Sequence, residues 1–171
     1  MKPLPTQARI QELLHYCPTT GEFRWKSRQG NTRHDRMFNS KHAGDIAGRL
    51  NERGYYVIPI DGEKFQAHRL AWVYVTGQQP TGIVDHGNGE TADNRWSNLR
   101  LATPTQNRAN SAANNSTGLK GVKRHHNKFL AYAGPFGTNR YLGSFDTAEE
   151  AHQAYQRRAL ELYGEYASAA R

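Results

Sequence analysis

Asp85 and His86 stand side by side in the stretch GIVDHGNGETADNRWSNLRLATPTQN, and asparagines follow at 88, 94, 98 and 107. Carboxylate and amide oxygens are hard ligands that suit Mg²⁺ or Mn²⁺ better than zinc. Two such ligands, Asp85 and Asn107, would leave coordination positions open for water and phosphate oxygens, which is the arrangement phosphodiester hydrolysis needs. A neutral imidazole such as that of His86 is suited to take a proton from attacking water near pH 7. A thiolate zinc knuckle and an internal disulfide are excluded, because Cys17 is the only cysteine. Taken alone, an Asp-His pair reads as a polar turn, so the surrounding elements carry the argument.

Those elements form a strand, a loop, a strand and a helix. Ile83 and Val84 make a short apolar strand ending at Asp85-His86, and Gly87 and Gly89 open a loop. On a regular strand His86 would face away from Asp85, but at a strand end beside a glycine it can turn. Leu99 and Leu101 alternate as in a second strand over residues 98–102. Thr103, Pro104 and Gln106 are three agreeing signals of a helix start, so Asn107 is expected in the first turn of a helix running to about residue 113. Asn98 can hold the loop or orient the histidine through its amide, with Asn94 as its competitor for that role. His68, which opens the helix of "HRLAW", is either a supporting side chain or a partly buried helix-start histidine.

Upstream, residues 6–16 read as an amphipathic helix capped by Thr6, with Ile10, Leu13 and Leu14 on one face. A turn and a strand with Phe23 and Trp25 on one side follow, then a polar loop over residues 30–41. Residues 55–60 are a β-branched and aromatic run, and Asp61-Gly62 signals a hairpin returning through residues 64–67. Residues 68–76 are helical, stopped by Gly77 with Pro80 beyond.

The charge is unevenly spread. The net charge is +8, and eight of the 23 Lys and Arg residues (Arg95, Arg100, Arg108, Lys120, Lys123, Arg124, Lys128 and Arg140) fall between residues 94 and 145, a span with no Asp or Glu. Such a field attracts a polyanion, and nucleic acid is the first candidate. Residues 114–118 read as a linker within an Asn-, Ser- and Gly-rich run. Beyond it come three strands (119–124, 129–133 and 141–145), with turns at "HHNK" and "PFGTN". Thr147 then caps a helix, with Glu150 as its capping-box partner and a small-residue face at Ala148, Ala151, Ala154 and Ala159.

Apolar residues make up 36% of the 171, so the cores must be modest, while eighteen aromatics argue against general disorder. A lone cysteine fits a reducing compartment. The chain shows neither the apolar run of a signal peptide nor about twenty apolar residues to span a membrane. The expectation is an intracellular protein that is not secreted, in the host cytoplasm if phage-encoded.

Residues 21–110 resemble the HNH endonucleases with a ββα-metal motif, most closely the phage and intron-encoded homing type. "HRLAW", "DHGNG", "DNRWSNLR" and "QNRAN" carry the likeness, at the family's order and spacing. The resemblance implies Asp85 and Asn107 as metal ligands, His86 as general base and Asn98 as the central asparagine of the motif; His68 and Asn94 are candidates for supporting positions. Residues 118–167, through "GVKR", "YLGSFDTAEEAHQAY" and "YGEYA", resemble the plant ethylene-response-factor (Apetala-type) DNA-binding domain. That likeness implies a sheet face laid in the DNA major groove, and phage homing endonucleases carry such a domain after the HNH unit. In this chain the middle strand "KFLAYAG" lacks the arginine usual there.

The expected fold is α+β. An HNH domain over residues 1–113 holds a β-rich part (1–66) and the ββα motif (about 82–113). A linker (114–118) leads to a three-stranded antiparallel sheet on one helix (119–171). The expected function is metal-dependent cleavage of double-stranded DNA by a monomer or homodimer using Mg²⁺ or Mn²⁺. Arg100, Arg108, Lys120, Lys123, Arg124, Lys128 and Arg140 are the expected DNA contacts. A DNA-binding regulator with a degenerate HNH unit is the alternative; an RNA-binding or RNA-cleaving protein is a more distant one.

Overall fold

The structure, a computed structural model, describes residues 3–135 and 138–167. The chain divides into two compact units: the residues up to His86 with Glu90–Leu101, and Gly87–Gly89 with the chain from Ala102 on.

In the first unit, helix α1 (Gln7–Leu13) starts where expected, the Thr6 hydroxyl accepting from the Arg9 amide at 3.2 Å. It ends earlier than its apolar face suggests. Leu14–Tyr16 becomes strand β1 and pairs antiparallel with β2 (Phe23–Trp25). Leu14 and Tyr16 are buried and His15 is exposed, a period-two pattern that suits a strand and not a helix. Tyr16 then stacks on Phe23, ring centres 4.7 Å apart.

The expected loop over residues 30–41 is instead largely helix, α2 (Arg33–His42). No residue of it is buried, so no apolar stripe announces it. A capping box holds its start: the Asp35 amide donates to the Thr32 hydroxyl at 3.1 Å and the Thr32 amide to the Asp35 carboxylate at 3.3 Å. Phe38 meets the edge of Trp25, and the Arg28 guanidinium lies 3.9 Å from its ring centre.

Strands β3 (Arg49–Leu50), β4 (Tyr56–Ile60) and β5 (Glu63–Gln66) form an antiparallel sheet in that order. The β4–β5 turn places Asp61 and Gly62 at φ +52° and +81°, as an Asp-Gly hairpin turn requires. Helix α3 (Ala67–Thr76) closes on Gly77 in the left-handed region. Its buried face (Ala67, His68, Leu70, Ala71, Val73) packs beside Ile10, Leu14, Tyr16, Ile58 and Ile60, and its apolar members share one core with them. Strand β6 (Ile83–His86) pairs with β7 (Leu99–Ala102), which follows one tight helical turn over Trp96–Asn98.

The second unit contains helix α4 (Pro104–Asn110), which carries the expected capping box between Thr103 and Gln106 and stops short of residue 113. Strands β8 (Val122–His125), β9 (Lys128–Ala133) and β10 (Arg140–Phe145) make an antiparallel sheet with β9 central. Helix α5 (Ala148–Tyr163), boxed by Thr147 and Glu150, buries Ala151, His152, Tyr155 and Ala159. The small residues let the helix approach the sheet closely. Gly121 shows how closely: a Cβ there would lie 2.0 Å from the Tyr155 ring, and φ is +75°. The expected turn "PFGTN" includes residues 136 and 137, which lie outside the described residues. The α+β class and the sheet-on-helix architecture agree with expectation.

Candidate active site

Strand β6 delivers Asp85 and His86 to its end, and both are buried together with Val84. Strict alternation would expose one of them; here both sides of the strand end are enclosed. The Asp85 carboxylate accepts from Arg100 Nε on the paired strand β7 at 3.1 Å, with side-chain exposures of 7% and 18%. Arg100 is among the expected DNA contacts, yet its Nε serves Asp85. Enclosing such a pair desolvates both charges, so removing one partner is strongly destabilising.

His86 is held from several directions. Its Nε2 lies 3.1 Å from Asn94 Oδ1. Asn94 Nδ2 donates to the Ala92 carbonyl at 3.4 Å, which sets the amide oxygen toward the histidine. An amide oxygen only accepts, so Nε2 carries the proton and Nδ1 the lone pair of the neutral ring. The Tyr16 hydroxyl fixes Asn94 in turn, donating to its backbone carbonyl at 2.7 Å. Gly21 lies against the same segment, and a Cβ there would meet the Asn94 carbonyl carbon at 2.4 Å. The His68 ring meets the His86 ring edge-on at 4.9 Å, and Tyr55 lies 5.4 Å and 6.0 Å from the centres of His68 and His86.

Burial pulls His86 below the ordinary imidazole value, opposed by its bond to Asn94 and by the charges of Asp85 and Asp93. His68 goes further, down to about 3, through burial and then the charges of His86 and Arg69. Both rings are therefore neutral at pH 7. For His68 the consequence has a sign. Between about 3 and the free value near 6.5, the unfolded chain binds the proton and the folded chain does not. Stability should fall as pH falls through that window, by at most about 1.4 kcal/mol per pH unit. Replacing His68 by Phe should flatten the slope of denaturant midpoint against pH; an unchanged slope would assign the acid sensitivity elsewhere.

Asn98 does a different job. Its Nδ2 donates to the Asp93 carbonyl at 2.8 Å, closing the loop whose Asp93 carboxylate is held by Arg95. Sequence reasoning favours Asn98 over Asn94 for the central role; the observed geometry gives the histidine to Asn94 and the loop to Asn98. Tyr16 and Tyr55 escape sequence reading because nothing local marks them. Tyr16 stands 78 residues from Asn94, and only the fold joins them.

In the second unit Asn107 lies half-buried in the first turn of α4, its backbone amide bonded to the Thr103 carbonyl at 2.9 Å, and Arg108 beside it is exposed. Lys123, Arg124 and Arg140 are exposed on the strands, and Lys128, also exposed, pairs with Asp146. Register sets Lys123 opposite Leu130 and Tyr141 opposite Tyr132, on the face away from the buried Val122 and Ala131. Arg124 and Arg140 alternate to the other side. Tyr132 and Tyr141 touch, ring centres 5.7 Å apart. Lys120 is engaged by the end of helix α4.

Among the described residues, no three His, Cys, Asp or Glu side chains gather to hold a metal. In the first unit, the buried carboxylate of Asp85 has the chemistry of a ligand for a hard divalent cation. No helix among the described residues is long and apolar enough to cross a membrane.

Residues 65–109 match the family described as HNH endonuclease, a segment reaching from β5 into α4. A protein of Acanthamoeba polyphaga mimivirus, named as an uncharacterized HNH endonuclease, is 36% identical over 116 residues. The match covers 66% of this chain and 61% of that relative, so the chain spans about three fifths of the relative's length. No solved structure matches the chain.

Proposed function

We propose that the protein is a divalent-metal-dependent DNA endonuclease of the HNH homing type, hydrolysing phosphodiester bonds in duplex DNA. The observation that carries this reading is His86. Within the matched segment, its neutral ring is held with Nδ1 as the lone-pair nitrogen, directly beside the buried carboxylate of Asp85. His86 accepts the proton of the attacking water. Asn94 and Tyr16 hold the ring against rotation, and Arg100 holds the Asp85 carboxylate. Asp85 and Asn107 are the side chains that would hold Mg²⁺ or Mn²⁺. When bound, such an ion neutralises the charge developing on the phosphate and steadies the leaving oxygen.

The β8–β10 sheet binds the duplex. Lys123, Tyr132 and Tyr141, exposed or half-buried on one face, support an Apetala-type role in the major groove, with Arg108, Arg124, Lys128 and Arg140 holding phosphates. A monomer would nick; a homodimer would cut both strands.

The test is incubation with supercoiled plasmid in Mg²⁺ or Mn²⁺, with EDTA as control. Nicked circles or linear product are expected. DNA binding without any product at either metal would favour the regulator reading. Binding affinity should fall steeply with salt as counterions leave several phosphates, and a flat response would remove the sheet from the interface.

A further inference from the structure

In sequence Lys120 stands among the exposed cations of the C-terminal strands, but its ammonium is turned toward the protein. Its three N–H donors reach the carbonyls of Arg108 at 2.7 Å, Ala109 at 2.7 Å and Ser111 at 2.5 Å. These carbonyls lie at the C-terminal end of α4, where the last carbonyls of a helix lack intrahelical partners and where the helix dipole favours a cation. An ammonium has three donors, and three acceptors take them all.

The backbone of Lys120 is pinned on the other side. His152 Nδ1 of α5 lies 2.9 Å from the Lys120 carbonyl; a carbonyl only accepts, so the ring donates. The next residue is Gly121, whose missing Cβ lets the chain lie against Tyr155. Lys120 is thus a strut, fixed to α5 by its backbone and to α4 by its side chain. Burial, and then the charge of Arg108, lower its pKa to about 8, consistent with an ammonium drawn out of water.

We propose that Lys120 is a positioning residue for the cleavage reaction: it locks the C-terminal end of α4 to α5 and so sets the placement of Asn107, in the first turn of that short helix.

The inference rests on the proposed role of Asn107, so the test has a readout that does not need cleavage. Lys120→Met keeps the apolar stem and removes the donors; Lys120→Gln keeps a shorter donor head. Amide hydrogen exchange is followed in the full chain of each. In Lys120→Met the α4 amides should lose protection about tenfold or more, with α5 and β8–β10 unchanged and Lys120→Gln in between. Equal protection in all three proteins would overturn the strut. In the plasmid assay, Lys120→Met should need several-fold more Mn²⁺ for half-maximal cleavage, with duplex affinity and its salt slope unchanged. If Lys120 were instead a phosphate contact, affinity would weaken and the salt slope would drop by about one, with the metal requirement unchanged; that result also overturns the proposal. If the parent chain itself fails to cleave, the nuclease reading falls, while the exchange data still decide the strut.

Discussion

Cleavage by a His86→Ala variant is expected to fall about 10²–10⁴-fold in Mg²⁺, with duplex affinity within about twofold of the parent. The histidine is buried and contacts Asn94, His68 and Tyr55, none of them on the β8–β10 sheet, so binding and chemistry should separate. Asn94→Ala should follow in the same direction with a smaller loss, because the ring survives but the acceptor that selects its tautomer is gone. The acid limb of the rate profile should lie below the free imidazole value of about 6.5, since burial favours the neutral ring. Full activity in His86→Ala would remove this residue from the chemistry.

Asp85→Ala should fail twice. Cleavage should vanish, and the first unit should lose about 3 kcal/mol in denaturant unfolding, because the enclosed Arg100 guanidinium loses its carboxylate. Asp85→Asn keeps the volume and an acceptor, so it should be milder in stability and still inactive. The double variant Asp85→Ala with Arg100→Met separates the two effects: stability should recover, and cleavage should not. An Asp85→Ala chain that unfolds at the parent midpoint would show that the ion pair contributes nothing to folding.

Much of the fold is legible from local signals. The Asp61-Gly62 hairpin, the Thr103 and Thr147 capping boxes and the Gly77 stop each depend on a few adjacent residues with strong backbone preferences, and each appears where expected. Helix α2 has such a box as well, at Thr32 and Asp35, but buries no residue, so no apolar stripe accompanies the cap to mark a helix in the sequence. The end of α1 escapes local reading, because pairing with β2, farther along the chain, decides where the helix gives way to a strand.

The candidate site divides the same way. Residue type and spacing in the chain single out Asp85, His86, Asn98 and Asn107, since carboxylate, imidazole and amide chemistry is written in the side chains themselves. Partner choice is not written there. Arg100 and Lys120 look alike in sequence, as cations in an acid-free stretch, yet one reaches Asp85 and the other three helix-end carbonyls. Asn94 and Asn98 carry the same amide one helical turn apart in sequence, and it is Asn94 whose amide meets His86 while Asn98 holds the Asp93 carbonyl. Charge and hydrogen-bonding capacity belong to the residue. Where burial leaves no water to satisfy them, the tertiary structure decides which group does, because a desolvated donor must find its acceptor within the fold.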